Sequence, residues 1–150
     1  MRALVQRVTR AAVTVFDDDG GETVTGSIDA GLCVLIGVTH DDDEQRARKL
    51  AERVWNLRIM EDTDGVMNLS VADTSRQLLV VSQFTLYGDT RKGRRPSWVD
   101  AARPDHAEPL VEAVVARLKE LGAQVETGRF RTRMAVELVN DGPATVMIEL

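Results

Sequence analysis

The sequence predicts an α+β (mixed α/β) fold with a largely antiparallel sheet and two main helices. Three observations predict it. Apolar residues alternate with polar ones, or run in short blocks, over most of the chain, as strands require. Only the segments around 44–57 and 105–121 carry apolar residues at helical spacing. The order strands, helix, strands, helix, strands then points to this class. At 150 residues the chain reads as one domain, 1–150, large enough to bury its own core.

Residues 2–16 read as a strand, with Leu4, Val8, Val13 and Val15 among polar partners. Asp17 to Gly21 is a turn rich in residues that accept positive φ, and Glu22 to Ile28 is the returning strand. Asp29-Ala30-Gly31 turns the chain again. Leu32 to Val38 is nearly continuous apolar sequence, as in a central strand covered on both faces. A helix follows, with Asp41 as its cap, Glu44 in the capping-box position, and Ala47, Leu50, Ala51, Val54 and Leu57 on its apolar face. Arg58 to Met60 is a short strand and Asp62 to Gly65 a turn. Residues 66–77 lead into the apolar run Leu78 to Val81. The second helix starts near Asp105, with Pro109 in its first turn and Gly122 as its stop. Gln124–Glu126, Met134–Val139 and Thr145–Leu150 read as strands, the last two separated by a tight turn at Asn140 to Pro143.

Composition bounds the function. Apolar content is 43% and charged content 29%, normal for a globular chain, while aromatics are only 4%. Cys33 is the one cysteine and lies inside an apolar run. It reads as a buried structural thiol, and the absence of an intrachain disulfide suits a reducing compartment. No segment resembles a signal peptide, and no run approaches the roughly 20 apolar residues of a membrane span. A cytoplasmic protein without membrane contact is expected. Net charge of −5 argues against a general nucleic-acid binder but leaves room for a local basic patch. Arg91, Lys92, Arg94 and Arg95 fall within five residues; taken singly, each reads as solvated surface charge.

Neither a metal nor a cofactor is expected. His40 and His106 have no motif spacing, and Asp41 to Glu44 reads as a helix start rather than a calcium loop. No phosphate-binding glycine loop occurs. Ser82 lies in no G-x-S-x-G elbow, which weakens a serine-hydrolase reading. One stretch stands out. The apolar run Leu78 to Val81 passes abruptly into Ser82, Gln83, Phe84 and Thr85, then Gly88-Asp89 and the basic loop. A rigid strand ending in a polar loop is a common place for a site.

Ser82-Gln83-Phe84-Thr85-Leu86 resembles a signature of the D-aminoacyl-tRNA deacylases, and Asn140-Asp141-Gly142-Pro143-Ala144-Thr145 resembles that family's second signature. Similarity extends to Ala3–Val8, Gly65–Leu69, Arg95-Pro96-Ser97 and Thr127–Phe130. Two departures are Ala144 in place of the usual valine and a longer first hairpin at Asp17 to Glu22. The resemblance implies a homodimeric esterase that cleaves a D-amino acid, or mischarged glycine, from the tRNA 3′ end. It also implies that Ser82, Gln83, Phe84 and Thr85 form the pocket. Gly142 and Pro143, joined by a cis bond, would enter from the opposite subunit to exclude L-amino acids. For Thr85 the family admits two roles, a nucleophile or an orienting group in hydrolysis assisted by the tRNA 2′-hydroxyl. A threonine nucleophile needs a base within reach, and this stretch supplies none, which favours the second. Arg91, Lys92, Arg94 and Arg95 would then contact acceptor-stem phosphates. The competing reading is a non-catalytic module that binds a D-amino acid or an RNA 3′ end.

Overall fold

A computed structural model describes residues 1–150. In chain order the strands are β1 (Arg2–Phe16), β2 (Glu22–Ile28), β3 (Gly31–Gly37), β4 (Met60–Glu61), β5 (Met67–Leu69), β6 (Gln77–Ser82), β7 (Val125–Thr127) and β8 (Arg133–Glu149). The helices are α1 (Glu44–Trp55), α2 (Val71–Thr74) and α3 (Pro104–Glu120), and a 3-10 turn spans Phe84–Tyr87.

The long strand β1 is the spine. Its whole length pairs antiparallel with β8 along one edge. Along the other edge, Arg2 to Val8 pair with β3 and Ala11 to Phe16 pair with β2, both antiparallel. Beyond β3 the sheet turns parallel, β3 to β6 and β6 to β7. Parallel neighbours need long crossovers, and α1 and α3 lie in the two that these pairs require. The sheet is therefore mixed, with antiparallel pairing around β1, and no helix is long and apolar enough to cross a membrane.

Alternation explains why β3 is apolar throughout. Leu32, Val34 and Ile36 pack with Leu50, Val54, Leu110, Val114 and Leu118 of the helices. Cys33 points to the other face, where Val8, Ala11, Val13, Ile28, Leu79 and Val81 form a second cluster. β1 serves both: Ala3 and Val5 face the helices, while Val8, Ala11 and Val13 face away. The register shift against β8 between Val8 and Arg10, where β1 carries the extra residue, makes that change of face.

Several boundaries differ from expectation. Asp43, not Asp41, caps α1, its carboxylate accepting from the Arg46 N–H at 2.8 Å. Asp42 is drawn inward instead, accepting from the Met1 amino group at 2.6 Å and the Thr39 N–H at 2.8 Å, which delays the helix. The short strand expected at Arg58 to Met60 starts two residues later, as β4. The polar run after Ser70 holds α2, closed by a reciprocal Ser70–Asp73 capping box that the sequence reading passed over. α3 begins at Pro104, so Pro109 sits in its second turn; it is tolerated there because that face is exposed and solvent can take the carbonyl it leaves free.

The largest correction concerns Asn140 to Pro143, which is not a chain reversal. β8 runs straight through it, with Asn140 opposite Val8 and Thr145 opposite Gln6. The four residues between face one residue of β1, Arg7, as an enlarged bulge in which Asp141, Gly142 and Pro143 are exposed and Ala144 turns back into the core. Both flanks stay on the ladder because β1 continues past it. The Gly142–Pro143 bond is cis.

Candidate active site

β6 delivers the first signature to the end of the sheet. Ser82 is its last residue, in register with Ile36 of β3. The Gln83 N–H still donates to the Ile36 carbonyl at 2.7 Å, and the backbone then coils into the 3-10 turn. That turn crosses the end of β3 over Gly37, where a Cβ would lie 3.0 Å from Leu86 Cβ and 3.1 Å from Tyr87 Cδ2. A side chain here would press the turn outward by a few tenths of an ångström. Arg2 fixes the far end of the turn, donating to the Leu86 carbonyl at 2.9 Å and lying 4.6 Å over the Tyr87 ring.

A cavity of about 570 Å³ opens at this strand end. Ser82, Gln83 and Phe84 form one wall, with Ile36, Val38 and Val81 beneath. The segment before and into α3 supplies Trp98, Ala102 and Ala107, and the approach to β8 supplies Phe130, Met134 and Val136. The lining is mostly apolar, with Arg131 its one charged residue. Arg131 holds φ of +58°, unusual for a side-chain-bearing residue. Thr85 lies outside the lining and is exposed; its hydroxyl accepts a hydrogen bond from the Gln83 side-chain amide.

No base stands near these hydroxyls. The lining contains neither histidine nor carboxylate. His40 Nε2 lies 2.7 Å from the Val99 carbonyl and His106 Nε2 3.0 Å from the Asp42 carbonyl, so each is occupied by backbone. Burial pushes the Cys33 thiol up to about 11 and the Tyr87 hydroxyl up to about 12, so both are neutral near pH 7. No three His, Cys, Asp or Glu side chains converge.

The second signature is elsewhere on the chain. The bulge lies opposite Arg7, which pairs with Leu32, whereas Ser82 pairs with Ile36. Four residues along the strands and three strand spacings across make roughly 13 Å by roughly 14 Å of sheet. Gly142 and Pro143 are exposed and absent from the cavity wall. Thus one chain assembles Ser82, Gln83, Phe84 and Thr85 and keeps Gly142 and Pro143 apart from them.

Arg7 braces the bulge, and the sequence reading missed it. Its side chain is only 5% exposed. Nε donates to Asp141 Oδ2 at 2.9 Å and to the Asp141 carbonyl at 3.2 Å, while Nη1 donates to the Ile59 carbonyl at 2.9 Å. An arginine in an alternating strand looks like a solvent-facing residue, so only the tertiary structure reveals its role.

The basic loop is uniformly exposed but not uniformly free. Arg91 is clamped on Asp89 by two side-chain hydrogen bonds, 2.9 and 2.8 Å long. These bonds hold the Asp89 carboxyl well below the usual range, at about 2. Lys92, Arg94 and Arg95 make no ion pair. The longer first hairpin reaches the opposite wall, where Asp17 pairs with Arg129 at 3.0 Å beside Phe130.

A sequence profile of the D-Tyr-tRNA(Tyr) deacylases matches residues 4–149. The chain belongs to this family. A D-aminoacyl-tRNA deacylase of Streptomyces avermitilis is 56% identical over 149 residues, covering 99% of both chains. One from Halalkalibacterium halodurans is 54% identical, again over 99% of both. Among solved structures, one named c-Myc DNA Unwinding Element Binding Protein superposes with a TM-score of 0.89 at 34% identity, covering 100% of this chain and 99% of the other. A probable eukaryotic D-amino acid tRNA deacylase gives 0.85 at 16% identity, covering 99% and 98%, and shares the fold. Within this family's frame the two separated signatures are the features to explain.

Proposed function

We propose that this deacylase-family chain hydrolyses the ester between a D-amino acid, or glycine mischarged on tRNA(Ala), and the ribose at the tRNA 3′ end. The observation that carries this reading is an apolar cavity, rimmed by Ser82, Gln83 and Phe84, that contains no histidine and no carboxylate. Such a site cannot activate a nucleophile in the manner of a hydrolytic triad. An aminoacyl ester is already activated, and for it positioning and polarisation suffice. The N–H groups of Phe84 and Thr85 open the 3-10 turn and meet no backbone acceptor, so they are free to donate to the ester carbonyl oxygen. Water adds to that carbon, the bond to the ribose oxygen breaks, and the ribose oxygen takes the proton. The neighbouring 2′-hydroxyl assists, and Thr85, held by Gln83, orients the ester.

Selection against L-amino acids rests on Gly142 and Pro143 of a second copy. The bulge is exposed and braced, and lies far along the sheet from the cavity of its own chain. It is suited to project into a partner's site as a wall of backbone. An L side chain would strike that wall, a D side chain would point away, and glycine would pass. Lys92, Arg94 and Arg95 supply local positive charge for tRNA phosphates on a chain of net charge −5.

The deciding experiment is deacylation of D-tyrosyl-tRNA and L-tyrosyl-tRNA at catalytic protein concentration. Turnover of the D ester alone supports the reading. Binding without turnover would assign the chain to the non-catalytic alternative, and labelling of Ser82 by a fluorophosphonate would assign a serine hydrolase.

A further inference from the structure

Aromatic residues are rare here: two tryptophans, one tyrosine and three phenylalanines in the whole chain. Phe84, Trp98 and Phe130 all line the one cavity. Two of them are not core residues, since Phe84 is 55% exposed and Trp98 42% exposed. Their rings meet edge to face, with centroids 5.4 Å apart. Trp98 has a built seat. A Cβ on Gly88 would lie 2.5 Å from Trp98 Cζ3, so the indole rests on bare backbone, and the Asp89–Ser97 bridge holds the segment before it with hydrogen bonds of 2.8 and 2.9 Å. The segment between the two bridge residues is the basic loop, with Lys92, Arg94 and Arg95 unpaired. A held, half-exposed indole thus stands at a cavity mouth, one residue past the bridge that closes a loop carrying three cations without an ion pair.

We propose that Trp98 is a stacking platform for the base of the nucleotide that precedes the terminal adenosine, with Lys92, Arg94 and Arg95 tracking the backbone of the same single-stranded tail. This rests on the tRNA reading given above. Stacked aromatics beside a cationic track are how sequence-tolerant single-strand sites work, because every base has a π-face while the phosphates supply charge. The occupant is a nucleic-acid tail rather than a protein, because the cations of the loop that leads into the indole match phosphate. Trp98 acts on positioning: a tail gripped one nucleotide upstream sets where the ester falls against Phe84 and Thr85.

The test uses fluorescence. A Trp55→Phe background leaves Trp98 as the one tryptophan. The probe is an RNA hairpin with a single-stranded ACCA tail, compared with the same hairpin made abasic at the penultimate position. The expected result is quenching of Trp98 by the intact tail and about 5- to 140-fold tighter binding than the abasic probe. For these variants, which lack the indole, binding is read from the anisotropy of a dye on the hairpin: Trp98→Phe should keep most of that difference and Trp98→Ala should abolish it, while both keep the salt dependence. The proposal is overturned if the abasic probe quenches and binds equally, or if Trp98→Ala binds the intact tail as tightly as its parent. Deacylation by the parent protein is measured in parallel. Turnover without a base-dependent signal sinks the platform alone, whereas absence of turnover sinks the reading on which it rests.

Discussion

Arg7 and Asp141 meet twice: the Arg7 guanidinium bonds the Asp141 carboxylate at 2.9 Å and its carbonyl at 3.2 Å. A side chain from β1 thereby grips the main chain of the bulge that faces it. Removing it leaves the Ile59 and Asp141 carbonyls without their donor. Arg7→Ala is expected to cost about 2–4 kcal/mol in denaturant unfolding, below the full cost for a buried pair because Asp141 and Glu61 are half exposed. Rejection of L-tyrosyl-tRNA should weaken more than turnover of the D ester. Unchanged stability and unchanged discrimination would show that the bulge holds itself.

Thr85→Ala should keep substantial deacylase activity, whereas a bulkier residue there should block it. The reason is that no base is hydrogen-bonded to the Thr85 hydroxyl, whose one side-chain partner is the Gln83 amide. A loss of more than about a thousandfold with the fold intact is the scale for a directly catalytic group, and would make Thr85 the nucleophile. A substrate ending in 2′-deoxyadenosine should react far more slowly with the parent protein.

In the basic loop the residues divide. Replacing Lys92, Arg94 and Arg95 together should weaken tRNA binding and flatten its dependence on salt, by roughly 0.7–0.9 in log–log slope per lost phosphate contact. Arg91→Ala should change the slope least, because Asp89 already occupies that guanidinium. Equal effects at all four positions would contradict the clamp.

The Asp89–Arg91 pair sets a pH window. The folded carboxyl titrates at about 2, below its unfolded value near 3.9. Its contribution is therefore complete above pH 4 and lost as pH falls toward 2. A carbon-detected NMR titration should place Asp89 near 2, and Arg91→Ala should return it toward 4. A native midpoint near 4 would mean that the pair is open in solution.

Cys33 should resist alkylation in the folded protein at pH 8, since burial raises its thiol to about 11 and removes access. Modification as fast as in denaturant would place it at the surface.

What was legible followed from periodicity. Strands β1 and β2 and the apolar faces of α1 and α3 appear where alternation and helical spacing put them. What was hidden depended on partners distant in sequence. Asp42 displaced the helix cap because the Met1 amino group draws it inward. The bulge read as a reversal because Asn-Asp-Gly-Pro is turn chemistry, and only β1 passing on both sides keeps it in the ladder. The first signature was legible because it is contiguous. The other cavity walls come from Trp98, Ala107 and Phe130, brought together by the chain's return through α3 and β7. Trp98 was signalled only by the scarcity of aromatics, Phe130 also by its place in the family-like segment Thr127–Phe130, and Ala107 by nothing.

The course of β8 through Gly142 and Pro143 limits how this chain can evolve. Ala144, the last residue of the bulge, and Ile148 beyond it are buried against the helices, and every second residue of a strand shares a face. Deleting or inserting one residue between Thr145 and Ile148, where the pairing with β1 is regular again, would slide the last strand by one step and turn Ile148 outward. A single-residue indel here should be rarer among descendants of this sequence than in the exposed loop at Asp17 to Gly21, where nothing downstream counts the residues.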